Sequence, residues 1–145
     1  MSNNVSLRIL VVDDEPDFVA YVKMVLEEAG HAVMTAFDGE EALARVRKAP
    51  PDLVTLDIQM PRKTGVLFYR QMKTDPRLRE IPVIVMSGLR RMNDYASSFI
   101  ECFFQSERLK VSPPERYLDK PIDKAGLLDA VNEHLPSGVA PCIPT

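Results

Sequence analysis

The chain predicts an α/β fold, a parallel sheet of five strands covered by helices on both faces. Two observations carry that prediction. Short apolar runs alternate with stretches of helical spacing along the whole chain. The runs are also near-continuous rather than polar at every second residue, as strands buried on both faces require.

The elements follow in order. Residues 7–12 (LRILVV) form the first strand. Pro16 suits a first helical turn, and Phe18, Val22, Val25, Leu26 and Ala29 follow at helical spacing before Gly30 closes the helix. On that helix Phe18, Tyr21 and Met24 are read mainly as core, with the alternative that some of them face out toward a partner protein. Residues 32–36 (AVMTA) form the second strand. Asp38-Gly39-Glu40-Glu41 has the form of a capping box, with Asp38 as N-cap and Glu41 at the third helical position. The helix it opens carries Ala42, Leu43 and Val46 and stops before Pro50-Pro51. Asp52 is read as an entry-turn residue to the third strand, residues 53–56. Thr64 is placed as the cap of a third helix bearing Val66, Phe68, Tyr69 and Met72. Residues 81–86 (IPVIVM) form the fourth strand and residues 117–119 a short fifth. Asp123 caps a last helix that runs to Leu135 and ends at Pro136.

Composition bounds the function. A chain of 145 residues suffices for one domain with a full core. Its 46% hydrophobic and 27% charged content is ordinary for a globular protein. A net charge of −3 offers no basic footprint, which argues against direct nucleic-acid binding. Cys102 and Cys142 lack CxxC or metal-ligand spacing and are read as reduced thiols of a cytoplasmic protein. No apolar run approaches the roughly 20 residues of a membrane span. The start, MSNNVSLR, lacks the layout of a signal peptide, so no membrane association is expected.

In an open α/β sheet the ligand crevice lies at the carboxyl ends of the strands. Strand one is followed by Asp13-Asp14, strand three by Asp57, strand four by Ser87 and strand five by Lys120-Pro121. Neighbouring strands lie about 4.8 Å apart, so these side chains come within mutual reach. Clustered carboxylates resist joint ionisation, and a divalent cation relieves that. Oxygen donors without His or Cys suit Mg²⁺ (or Mn²⁺). Each residue alone has an ordinary explanation as a turn or cap; the ordered set at four strand ends does not.

With those residues in hand, the chain resembles the receiver domains of two-component response regulators. The resemblance rests on LRILVVDDEP, LVTLDIQMPRKTG, IPVIVMSG and YLDKP and covers about residues 7–135. It implies a flavodoxin-like, doubly wound (βα)5 fold of strand order 2-1-3-4-5. It implies that Asp57 accepts a phosphoryl group from the histidine of a sensor histidine kinase or a phosphotransfer protein. Asp14 and Asp57 would contact Mg²⁺ (or Mn²⁺) directly, Asp13 through a water, and the backbone carbonyl of Gln59 would be a further ligand. Ser87 would hydrogen-bond the phosphoryl group, Lys120 would pair with one of its oxygens, and Tyr117 would turn with Ser87 as the switch. The Lys120-Pro121 peptide would be cis. Phosphorylation would then alter the surface around the helix after strand four, strand five and the last helix. Such a chain is a signalling phosphoacceptor rather than an enzyme acting on a separate substrate.

The chain departs from that family between strands four and five. The segment at about 89–116 is longer than usual, and Ser112-Pro113-Pro114 stands where a Gly-Ala pair is customary. Met92, Ala96, Phe99 and Phe103 form a helical stripe there, widened by Tyr95, Ile100, Cys102 and Phe104. It is read either as covered by its own loop or as a surface for a homodimer or a downstream protein. Residues 1–6 are expected to be a tail, 7–135 the receiver domain and 136–145 a flexible tail or linker start. Other classes fare worse. A flavodoxin-like electron carrier would not place Asp13-Asp14-Glu15 against a flavin phosphate. A haloacid dehalogenase-type phosphohydrolase needs an acid where Gln59 stands. A receiver-like module that binds partners without phosphorylation would not need the complete set of site residues.

Overall fold

A computed structural model describes residues 6–57, 64–87 and 116–134. Its elements are β1 (Arg8–Val12), α1 (Pro16–Glu28), β2 (Ala32–Ala36), α2 (Gly39–Lys48), β3 (Leu53–Asp57), α3 (Thr64–Thr74), β4 (Val83–Ser87), β5 (Arg116–Asp119) and α4 (Lys124–Asn132). The strands form one parallel sheet of order β2-β1-β3-β4-β5. That is the doubly wound, flavodoxin-like fold expected from the sequence.

Because side chains alternate along a strand, each strand feeds two cores. Leu10, Val12, Val54, Leu56, Val83 and Val85 pack with Ala42 and Val46 of α2 and Phe68, Tyr69 and Met72 of α3. Ile9, Val11, Leu53, Ile84 and Met86 pack instead with Val19, Val22, Val25 and Leu26 of α1 and Leu127, Leu128, Ala130 and Val131 of α4. This alternation matters for the site. Asp13 and Asp57 stand two residues past Val11 and four past Leu53, in phase with the α1–α4 side.

Local signals explain the element ends. Helix α1 stops in a Schellman motif: His31 N–H donates to Leu26 O at 3.1 Å and Gly30 N–H to Glu27 O at 3.0 Å. Gly30 has φ 97°, a conformation that costs a residue with Cβ. Asp38 caps α2 through Glu41 N–H at 2.8 Å. The returning Glu41 carboxylate accepts from Phe37 N–H rather than from Asp38, so the expected box is offset by one residue. Asp123 caps α4 through Gly126 N–H at 2.8 Å. Asp52 does more than enter a turn: its carboxylate accepts from Arg8 N–H at 2.8 Å and joins the starts of β1 and β3.

Two expected element bounds are corrected. Strand four begins at Val83, because Ile81 N–H is spent on a turn bond to Leu78 O and Pro82 has no N–H to give. Thr64 is the first residue of α3, and its reading as the cap lies outside the described residues. Helix α4 ends at Asn132, short of Leu135, which lies outside the described residues. On α1, Phe18 and Tyr21 are half-buried against the α1–α4 core and Met24 faces out, in line with the reading that most but not all of the three are core. The long segment at about 89–116 falls almost wholly outside the described residues, as do both tails.

Two buried polar groups were not foreseen. Lys73 lies in α3 and donates to Arg79 O at 3.2 Å and Ile81 O at 2.7 Å, tying the α3–β4 connection. His31 is buried at the start of β2, and its Nδ1 accepts from Leu7 N–H at 3.1 Å. Nδ1 is therefore unprotonated and the ring neutral, with Nε2 buried and unpaired among the described residues. Burial lowers the His31 pKa. The unfolded chain thus takes this proton more readily, so stability is full above the ordinary histidine value and is lost as pH falls below it. Urea unfolding of the wild type is expected to weaken between about pH 7.5 and about pH 5.5, and less so in His31→Gln, which keeps an acceptor without titrating. An equal loss in both proteins would assign the pH effect elsewhere.

Candidate functional site

The site grows from the carboxyl ends of β1, β3 and β5. The β1–β3 register pairs Val12 with Leu56, so Asp13 and Asp57 emerge side by side. The Asp13 N–H continues the ladder to Ala36 O at 3.1 Å. Both acids are almost fully buried, at 1% and 3% exposure. Lys120 follows β5 and reaches back across the strand ends. Its Nζ donates to Asp13 Oδ2 at 2.8 Å and lies 3.4 Å from Asp57 Oδ2 and 3.4 Å from Glu15 Oε1. The Lys120-Pro121 peptide is cis.

Asp14 was read as either a metal ligand or a helix cap. It is exposed and does not cap α1. The N-cap position falls to Glu15, whose own side chain makes no capping bond. The local turn is instead closed by Asp13 Oδ1, which accepts from Glu15 N–H at 3.0 Å. Asp14 is thereby left turned to solvent at the lip of the site.

The electrostatics follow from crowding. Burial pushes the Asp13 carboxyl above its ordinary value, and the hydrogen bonds from Lys120 and Glu15 only partly offset this. Burial also works against the Lys120 charge, but its hydrogen bond to Asp13 and the charges of Asp57, Asp13 and Glu15 outweigh that and raise its pKa. Asp13, Asp14, Glu15 and Asp57 each offer an oxygen, all within 4.8 Å of one another. One ammonium cannot neutralise four carboxylates. An all-oxygen cluster with two members open to solvent fits a small hard divalent cation that keeps part of its water shell.

Glu15 and Phe18 are members of this neighbourhood that the sequence reading passed over. Glu15 directly follows Asp13-Asp14, which was a usable signal. The Phe18 ring faces the Lys120 ammonium, with the centroid 4.3 Å from Nζ. Ser87 closes β4, its backbone paired in register with Asp119. Tyr117 lies in β5, half-buried against the α2–α3 core, on the opposite side of the sheet from Lys120. Gln59 lies outside the described residues. A separate cavity of about 160 Å³ between α2 and α3, lined by Leu43, Leu67, Phe68 and Gln71 among others, contains none of the clustered acids. Among the described residues no helix is long and apolar enough to cross a membrane.

Comparison with known proteins identifies the family to which this fold belongs. Residues 9–132 match the model of the response regulator receiver domain. Protein PilG of Pseudomonas aeruginosa is 30% identical over 131 residues, 90% of this chain and 89% of that protein. The DNA-binding dual master transcriptional regulator RpaA of Synechocystis is 32% identical over 124 residues, covering 86% of this chain but 47% of that protein. The chemotaxis response regulator CheY4 of Vibrio cholerae superposes with a TM-score of 0.72 at 25% identity, covering 90% of this chain and 100% of that one.

Proposed function

Because the chain belongs to the response regulator receiver domain family, a family of signalling modules, we propose that it is switched by phosphorylation of Asp57. The observation that carries this reading is the Lys120 ammonium lodged between Asp13 and Asp57 at the carboxyl edge of the sheet. The donor is the phosphohistidine of a sensor histidine kinase or a phosphotransfer protein. An oxygen of Asp57 attacks phosphorus as the phosphorus–nitrogen bond to the imidazole breaks. The imidazole leaves with the electron pair, and an acyl phosphate remains on Asp57. Such a transfer needs alignment and charge neutralisation more than covalent help from the protein.

The chain's own residues divide that work. The rigid, buried end of β3 holds the Asp57 carboxylate in place. Lys120 meets the charge of the incoming phosphoryl oxygens. Asp13, Asp14, Asp57 and the Gln59 carbonyl would hold Mg²⁺ (or Mn²⁺), with Asp13 acting through a water. The cation would supply further positive charge to the phosphoryl oxygens. The Ser87 hydroxyl would bond the new dianion and Tyr117 would turn in response, shifting the surface of the segment after β4, β5 and α4 between two existing states. That surface would meet a downstream protein or a second copy. Residues 7–135 would form the receiver and act in the cytoplasm.

The test is direct. The chain incubated with acetyl phosphate and Mg²⁺ is expected to gain one phosphoryl group by intact mass, removable by hydroxylamine and absent after chelation. No adduct would overturn the reading and leave a module that binds partners without phosphorylation. An adduct formed equally well with chelator would remove the cation from it.

A further inference from the structure

We propose that Phe18 is a positioning residue for the Lys120 ammonium, its ring forming a fixed apolar floor that directs the charge toward Asp13 and Asp57. This rests on the reading of Asp57 as phosphoacceptor and adds a residue to it. The contact has the geometry of a cation–π pair, since the centroid lies 4.3 Å from Nζ and such pairs act within about 6 Å.

Both sides of the contact are anchored. Phe18 sits in the first turn of α1, half-buried and packed against the α1–α4 core. Leu118 packs against that same core and Ile122 belongs to it, so the chain flanking Lys120 is held there too. A lysine stem has four rotatable carbons and does not by itself specify where its charge sits. The ammonium has three donors, and these face Asp13, Asp57 and Glu15. The ring occupies a further side of the ammonium. It excludes water there, and it offers no lone pair that would compete with the carboxylates.

The consequence concerns transfer to Asp57. As the Asp57 oxygen–phosphorus bond forms and the donor's bond to phosphorus breaks, negative charge arrives beside Lys120. A charge already held in place needs little reorganisation to meet it. A charge free to swing to Glu15, which is mostly exposed at 66%, would meet it less often. Phe18 takes no part in bond making in this scheme and acts through Lys120.

The experiment compares the wild type, Phe18→Leu and Phe18→Tyr as full chains with Mg²⁺ and acetyl phosphate, from which acetate leaves with the electron pair of the broken phosphorus–oxygen bond. Leucine keeps the apolar cover and removes the π face; tyrosine keeps both. Phe18→Leu is expected to slow adduct formation about 2- to 30-fold, the span a cation–π contact implies, and Phe18→Tyr to restore the wild-type rate. By NMR, the Lys120 ε-methylene protons are expected upfield in the wild type and in Phe18→Tyr, where the ring face shields them, and shifted back in Phe18→Leu. A slower Phe18→Leu with unmoved ε-methylene signals would assign Phe18 to packing alone and overturn the proposal. An unchanged rate with moved signals would overturn it as well. If the wild type takes no phosphoryl group, the reading of Asp57 fails while the ε-methylene signals still decide the contact.

Discussion

Replacing Asp57 with asparagine is expected to abolish the phosphoryl adduct while leaving the fold intact. The carboxylate is the last residue of β3, 3% exposed, and asparagine fills the same space. An amide oxygen is a far weaker nucleophile than a carboxylate and cannot yield an acyl phosphate. Among the described acids of the cluster, none of the others is held in the same way. Asp13 has one oxygen bound by Glu15 N–H and the other by Lys120, while Asp14 and Glu15 are exposed. The measurement is intact mass after acetyl phosphate and Mg²⁺, with circular dichroism as the control for folding. Unchanged labelling in Asp57→Asn would show that the phosphoryl group goes elsewhere.

Lys120→Met is the second large effect. Methionine fills part of the lysine's volume without charge. Loss of one preorganised group facing developing negative charge typically costs about 10²- to 10³-fold in rate, so adduct formation is expected to slow by about 100-fold. The change also leaves Asp13 and Asp57 buried without their cation. Removing one partner of a buried ion pair destabilises by about 3–5 kcal/mol, and added Mg²⁺ is expected to recover part of that loss. Urea unfolding with and without Mg²⁺ reads the stability, and the time course of labelling reads the rate. A variant that labels as fast as the wild type would take Lys120 out of the transfer.

The fold was legible to a large extent because each element carries a local signature. The apolar runs of β1, β2 and β3, Pro16 at the start of α1, Gly30 at its end, and the Asp38 and Asp123 caps all read directly from residues within a few positions of one another. The misses were also local. A run such as IPVIVM is apolar throughout, and its apolarity does not reveal that Ile81 N–H is already committed to Leu78 O. Which of Phe18, Tyr21 and Met24 faces out was not legible either: all three fit a helical spacing near the core stripe, and only Met24 is half exposed.

For the site, the sequence by itself determined which chemical groups stand at which strand ends: Asp13, Asp14, Asp57, Ser87 and Lys120, each placed by the strand before it. Tertiary structure alone decided how those groups share one another. Lys120 and Asp13 are 107 positions apart. Their contact requires β5 to pair beyond β4, and the pleat to bring Lys120 onto the α1–α4 side, where Asp13, Asp57 and the Phe18 ring already face. Helical and strand periods report on residues three or four positions away. They carry no information about which side of a sheet receives a loop arriving from its far edge, and that is why Phe18 became visible as a neighbour of Lys120 only in the folded chain.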